Sequence, residues 1–322
     1  MLFTMLQEAE HGFEVAEAAR QLGQFLAWFG IFGPLGFRFV VMRGGGGSLA
    51  QPDRELAAVD QMRAAALKGA ATIGMGGALL LIVDLLPWTG RTAVALVCAA
   101  VLALAYAVAL RGSQGAWTLA LLAGLVLTFR NVVTLRWTTL VNPVHMTCAA
   151  LWIGTLFVIV SAGLPAVLRA PLGPLRGPLV RELITRFSPL ALFSSGLLVL
   201  TGVLTAWRHL GAVNELWNSS YGYALMVKLC FVAGVAALGA WNWRRMSPRL
   251  GTDEAAHAIR RSATGEVLVA LAVLLVTAVL VSLPAPAEQR QQREQEKSVA
   301  APGVGPAGAV RARPAGVHDD DD

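Results

Sequence analysis

The chain has 322 residues, of which 56% are hydrophobic and only 14% charged; a water-soluble domain carries about 25% charged residues. With a mean hydropathy of +0.60 and apolar runs near 20 residues long, the composition excludes a soluble enzyme and fits an all-α, polytopic helical bundle in a bilayer. The net charge of +6 does not argue for a nucleic-acid partner, because the Arg and Lys fall mostly between apolar runs, where they set membrane orientation.

Residues 1–20 form an acidic segment, with Glu8, Glu10, Glu14 and Glu17 against Arg20. That is the reverse of a signal peptide's basic start, so the first span is expected to direct its own insertion. The first of about eight spans is read at 21–42, where Gly33-Pro34 predicts a tolerated kink and Trp28 a packing role. Gly44 to Gly47 follow as a flexible linker and not a phosphate loop, since no strand precedes them and no Lys-Ser/Thr pair follows. The second span, 69–87, carries an Ala70/Gly74 small-residue pair suited to close packing, Met75 near its middle and Asp84 near its end. Cys98 lies in the third, 91–110, and the fourth, 115–136, contains Arg130 and Arg136 in its last third. Residues 21–136 thus make a first group of four.

The fifth span, 142–164, opens Asn142-Pro143-Val144-His145-Met146-Thr147-Cys148. Cys148 shares a helical face with His145 at i+3, whereas Met146 points about 100° away. After a sixth span at 187–207, the seventh, 222–243, holds Met226 and Cys230 as i,i+4 neighbours with Lys228 roughly opposite. The eighth is read at 264–283. Residues 285–322 are rich in Pro, Gln, Glu, Ala and Gly and are expected to be a disordered tail, ending in four solvated aspartates after His318.

The loops fall into two alternating sets, one with fourteen Lys and Arg and the other, excluding the tail, with five. The richer set marks the cytoplasmic side, so both termini are predicted on the outer face. Arg38 is expected to join the inner set by snorkelling. Trp88, Trp137 and Trp207 then fall at outer ends and Trp117, Trp241 and Trp243 at inner ends, as interfacial belts require.

Polar or metal-binding side chains within spans are functional candidates by default. At 1.5 Å per residue, His145, Cys148, Met226, Cys230, Cys98 and Asp84 all lie within roughly 5–12 Å of the outer boundary. Imidazole, thiolate and thioether together suit a soft ion, and Cu(I) above all. His145, Met146, Cys148, Met226 and Cys230 are therefore candidate metal ligands. Cys and Met are equally ordinary apolar filler, the reading favoured for Cys98. Asp84 and Lys228, of opposite sign at matching depth, are candidates for an intramembrane ion pair.

Residues 142–284 carry a further pattern: His145 with Trp152 and Gly154, then Arg186-Phe187-Ser188-Pro189-Leu190-Ala191, Thr201-Gly202, Tyr221-Gly222, Lys228-Leu229, Asn242, Glu266 and Leu283-Pro284. This core resembles the copper resistance protein D (CopD, PcoD) family of bacterial inner-membrane proteins. Thr155 stands where that family has a second glycine, a departure that bears on close packing at that turn and not on the histidine. Ser188 is expected to cap the sixth span with Pro189 in its first turn, and Arg186 to anchor that end at the inner interface. The resemblance implies a multi-pass protein of the cytoplasmic membrane, surrounded by lipid, that captures copper from the periplasmic side and moves it inward or delivers it to a partner; a periplasmic copper carrier is a candidate partner. Two alternatives stand beside transport: a haem-bearing electron-transfer subunit, with His209 as the nearest second histidine, and a non-conducting docking module for such a carrier. No GxSxG, HExxH or Walker sequence is present, and no enzyme activity is expected.

Overall fold

A computed structural model describes residues 15–43, 53–86, 92–130, 132, 137–210 and 214–218, with scattered positions between 222 and 277. Among these residues the chain is all-helical. Helix α1 (Val15–Gly36) continues into a π-helical turn, Phe37–Val41; α2 (Asp53–Asp84), α3 (Ala93–Leu110) and α4 (Gln114–Phe129) follow. The α-helical pieces Trp137–Ala149, Thr155–Val158 and Leu164–Arg169, joined by π-helical turns Ala150–Gly154 and Ile159–Gly163, form one rod, α5. A 3₁₀ turn leads into α6 (Arg176–Leu210), and α7 is the short Glu215–Asn218.

Five stretches are long and apolar enough to cross a membrane: Ala18–Val41, Glu55–Asp84, Ala93–Leu110, Thr139–Arg169 and Gly173–Trp207. They coincide with five of the eight expected spans. The fourth expected span is cut short, because α4 stops at Phe129 and Arg130 donates from Nη1 to the Leu127 carbonyl at 2.7 Å, a cation satisfying a helix C-terminus. Its 16 residues reach about 24 Å, less than the hydrocarbon thickness of about 30 Å. The seventh and eighth spans, the Gly44–Gly47 linker and the tail lie largely or wholly outside the described residues.

The order of packing follows from residue size. α1 packs on α2, α4 and α5, α3 bridges α2 and α4, and α5 pairs with α6. Gly30 lies on Gly77 of α2, where a Cβ would sit 2.8 Å from the facing Cα. Gly33 lies backbone to backbone against Gly154 of α5, so that neither position has room for a side chain. Thr155, fully buried, donates its hydroxyl to the Gly33 carbonyl at 3.3 Å. The close packing in doubt for want of a second glycine is therefore present, and the threonine takes part in it. The Ala70/Gly74 face behaves as its composition implies, with Gly74 receiving the Tyr106 ring and the Tyr106 hydroxyl donating to the Ile31 carbonyl at 2.5 Å.

Trp117 does not belong to an interfacial belt. It is 2% exposed and meets Tyr106 edge to face at 5.8 Å, an aromatic pair inside the bundle. Trp28, stacked on Phe32 at 5.2 Å, and Trp152 both pack against the core, as expected. Outward-facing positions remain apolar: Val97, Leu104, Leu122, Phe193, Val203 and Trp207 are all more than half exposed. Such continuous apolar surface is foreign to a protein in water.

α6 begins well before the expected start of its span. Ser188 is no cap but lies mid-helix, donating to the Ile184 carbonyl at 2.9 Å, with Pro189 inside the helix. The reason is the spacing of Val180, Leu183 and Phe187, all buried, which gives the preceding segment an apolar stripe and makes it helical. Arg186 thereby reaches the end of α1: its Nη1 donates to the carbonyls of Val41, at 3.4 Å, and Arg43, while its Nη2 pairs with Glu182 at 2.5 Å. The guanidinium serves the terminal carbonyls of another helix. Replacing Arg186 with Gln is expected to lower stability by about 1–2 kcal/mol, measured as a shift in thermal unfolding of the purified protein. An unchanged transition would show that these contacts contribute nothing.

Candidate functional site

The two ends of the bundle differ in character. At one, Arg38 donates to Gln114 at 2.6 Å and Arg186 meets the end of α1, so the connections after α1, before α4 and before the span of α6 share a side. At the other, the Asp84 carboxylate at the end of α2 accepts from Gln24 at 2.7 Å and lies 3.7 Å from the Arg20 guanidinium, both on α1. The α5 rod runs in the same direction as α1, since Gly154 meets Gly33 whereas Gly163 meets Phe37. His145, nine residues before Gly154, therefore lies toward the Asp84 end.

Pro143 enters α5 two residues before His145, and the ring projects toward α6. Its Nδ1 lies 2.9 Å from the Thr201 hydroxyl oxygen. Next to that residue Gly202 faces the ring, where a Cβ would be 3.3 Å from Cε1. The threonine and glycine of the sequence pattern thus gain a role: one holds the histidine and the other leaves room for it. Sequence reasoning gave neither a place in the site. Their depth on α6, matching that of His145 on α5, was the available signal.

The other candidates divide. Cys148 is buried on the His145 helix, while Met146 is partly buried against the core. Met226 is half-buried and Cys230 exposed, on a stretch of which Leu225–Gly234 is helical in part. Cys98 is buried in α3. Met75 is partly buried in α2. Among the described residues no three of His, Cys, Asp and Glu converge on a common point. Asp84 finds its partners on α1, in Arg20 and Gln24; Lys228, its expected partner, lies outside the described residues, as do Tyr221, Asn242 and Glu266.

A helical bundle with exposed apolar surface and an imidazole held between two of its long apolar helices defines a membrane protein with a nitrogen donor toward one end. Residues 181–280 match the family described as Copper resistance protein D. The chain is also similar to a curated protein of Bacillus subtilis (strain 168) named Copper transport protein CutJ, with 31% identity over 147 residues, or 45% of this chain. The chain spans about a quarter of that relative, 25% of its length. No solved structure matches. Arg186, Thr201, Met226 and Cys230 fall inside the matched stretch, and His145 precedes it.

Proposed function

We propose that this protein handles copper at the bacterial cytoplasmic membrane, taking Cu(I) at the periplasmic mouth and moving it inward, as one part of an eight-span bundle with both termini outside. The observation that carries this reading is His145, held by Thr201 at the bundle end opposite Arg38 and Arg186, in a chain that matches a family and a relative named for copper resistance and copper transport. Those names belong to transport and resistance and not to catalysis. The arginine-bearing end, with Arg38, Arg43 and Arg186, is assigned to the cytoplasm because positive loops stay inside.

Cu(I) accepts two or three soft or imidazole donors without needing a carboxylate. His145 supplies the nitrogen, with Cys148 one turn along the same helix and Met146 and the Met226/Cys230 face as sulfur donors. A donor set this sparse suits a cargo that must leave again. Met75, deeper in α2, is the next sulfur along an inward path. A periplasmic copper carrier would deliver the ion at this mouth.

The test is copper accumulation in cells with and without the gene, at matched external copper. Lower accumulation in the deletion strain, restored by the intact gene, is the expected result. Equal accumulation would leave the docking role for a copper carrier, and a Soret band in the purified protein would favour the haem-bearing alternative.

A further inference from the structure

We propose that Thr201 is a positioning residue that fixes the tautomer of His145. The Thr201 hydroxyl oxygen lies 2.7 Å from the Leu197 carbonyl and 3.2 Å from that of Leu198, both in its own helix, and 2.9 Å from His145 Nδ1. Carbonyl oxygens only accept, and a hydroxyl has a single proton to give. The short contact to Leu197 takes that proton, as serine and threonine commonly do four residues along a helix. The contact to His145 then needs a proton from the other side, and Nδ1 is the atom that carries it. The ring's lone pair is thereby placed on Nε2.

Burial supports this assignment. Thr201 is only 5% exposed, so little water competes for its lone pairs, and reversing the bond would leave the Leu197 carbonyl without the hydroxyl. Gly202 borders the same edge of the ring at Cε1, the carbon between the two nitrogens. One edge of the imidazole is thus set by α6, through one hydrogen bond and one missing side chain. A histidine that ligates a metal through one nitrogen generally donates from the other, and this partner sets its orientation and basicity. Here the partner is a threonine hydroxyl whose own proton is already committed to the backbone.

The inference deepens the copper reading of His145 and rests on it for its purpose, but the tautomer can be read without any metal. Protein carrying ¹⁵N-labelled histidine, purified in detergent at a pH where the ring is neutral, is expected to show His145 with a protonated Nδ1 and an unprotonated Nε2. T201V keeps the side-chain shape and removes the acceptor; it is expected to shift His145 toward the other tautomer and to weaken Cu(I) binding, measured against a competing chelator, by about 10- to 100-fold. T201S restores both, within about threefold in affinity, and so separates this role from packing. An unchanged histidine spectrum in T201V overturns the role of Thr201, even where H145A still weakens Cu(I) binding. If the spectrum shifts while Cu(I) affinity is the same in wild type, T201V and H145A, the copper assignment of His145 falls and the positioning role falls with it.

Discussion

Protein purified with His145 replaced by alanine is expected to lose most of its copper and to bind Cu(I) at least about 100-fold more weakly, since removing a ligand costs more than the 10- to 100-fold typical of an outer partner. The loss is not expected to come from unfolding. Thr201 keeps its bond to the Leu197 carbonyl when the ring is gone, so no buried hydroxyl is stranded, and the ring is itself only partly buried. The packing penalty is a cavity of partial size. Elemental analysis of the purified variant, beside its thermal unfolding, separates the two effects. Copper content equal to that of the wild type would remove His145 from the site and leave the sulfur residues to account for binding.

The largest effect on stability is expected at the seam between α1 and α5. A methyl group on Gly33 would enter the backbone of Gly154, and one on Gly154 would lie 2.7 Å from the Phe29 carbonyl. Neither obstacle is the end of a flexible side chain, so the helices must separate. Overpacking of this kind costs about 1–3 kcal/mol, and more where the backbone is the obstacle. Gly33→Ala and Gly154→Ala should each lower the unfolding temperature and the yield of folded protein. Gly76→Ala, on α2 with nothing within 4 Å, should raise stability by about 0.5–1 kcal/mol through helix propensity alone. Equal behaviour of the three variants would refute the close seam.

Hydrophobic run length made most of the bundle legible, because a segment that must cross hydrocarbon has little compositional freedom. α1, α2, α3, α5 and α6 all lie where such runs fall. The ends were harder. α2 and α6 each begin more than ten residues ahead of the expected run, since their first turns are amphipathic and a hydropathy window averages that stripe away. Val180, Leu183 and Phe187, at a helical repeat, were the overlooked signal. Ser188-Pro189 read as a helix start because its residue types suit one; continuous helix on both sides overrides that preference.

His145 was legible for a different reason, since imidazole within an apolar span demands a partner. Which group supplies it was not, because Thr201 is 56 residues away and belongs to a helix whose neighbour only the fold decides. Asp84 shows the same limit. Its charge called for a cation, and matching depth pointed to Lys228, which lies outside the described residues; Arg20 and Gln24 on the adjoining helix meet it. Arg20 had been placed in an outer acidic segment, whereas α1 extends back to Val15.

Where Gly33 meets Gly154 and Gly30 meets Gly77, main chain touches main chain, and there is no rotamer to swing aside. α1, α2 and α5 consequently behave as a fixed keel. α6 is joined to that keel near His145 by a hydroxyl and a ring, contacts that can part without prising two backbones from each other. Under the proposed transport, movement would therefore fall to α6 beside His145, with the imidazole between the stationary part and the moving one.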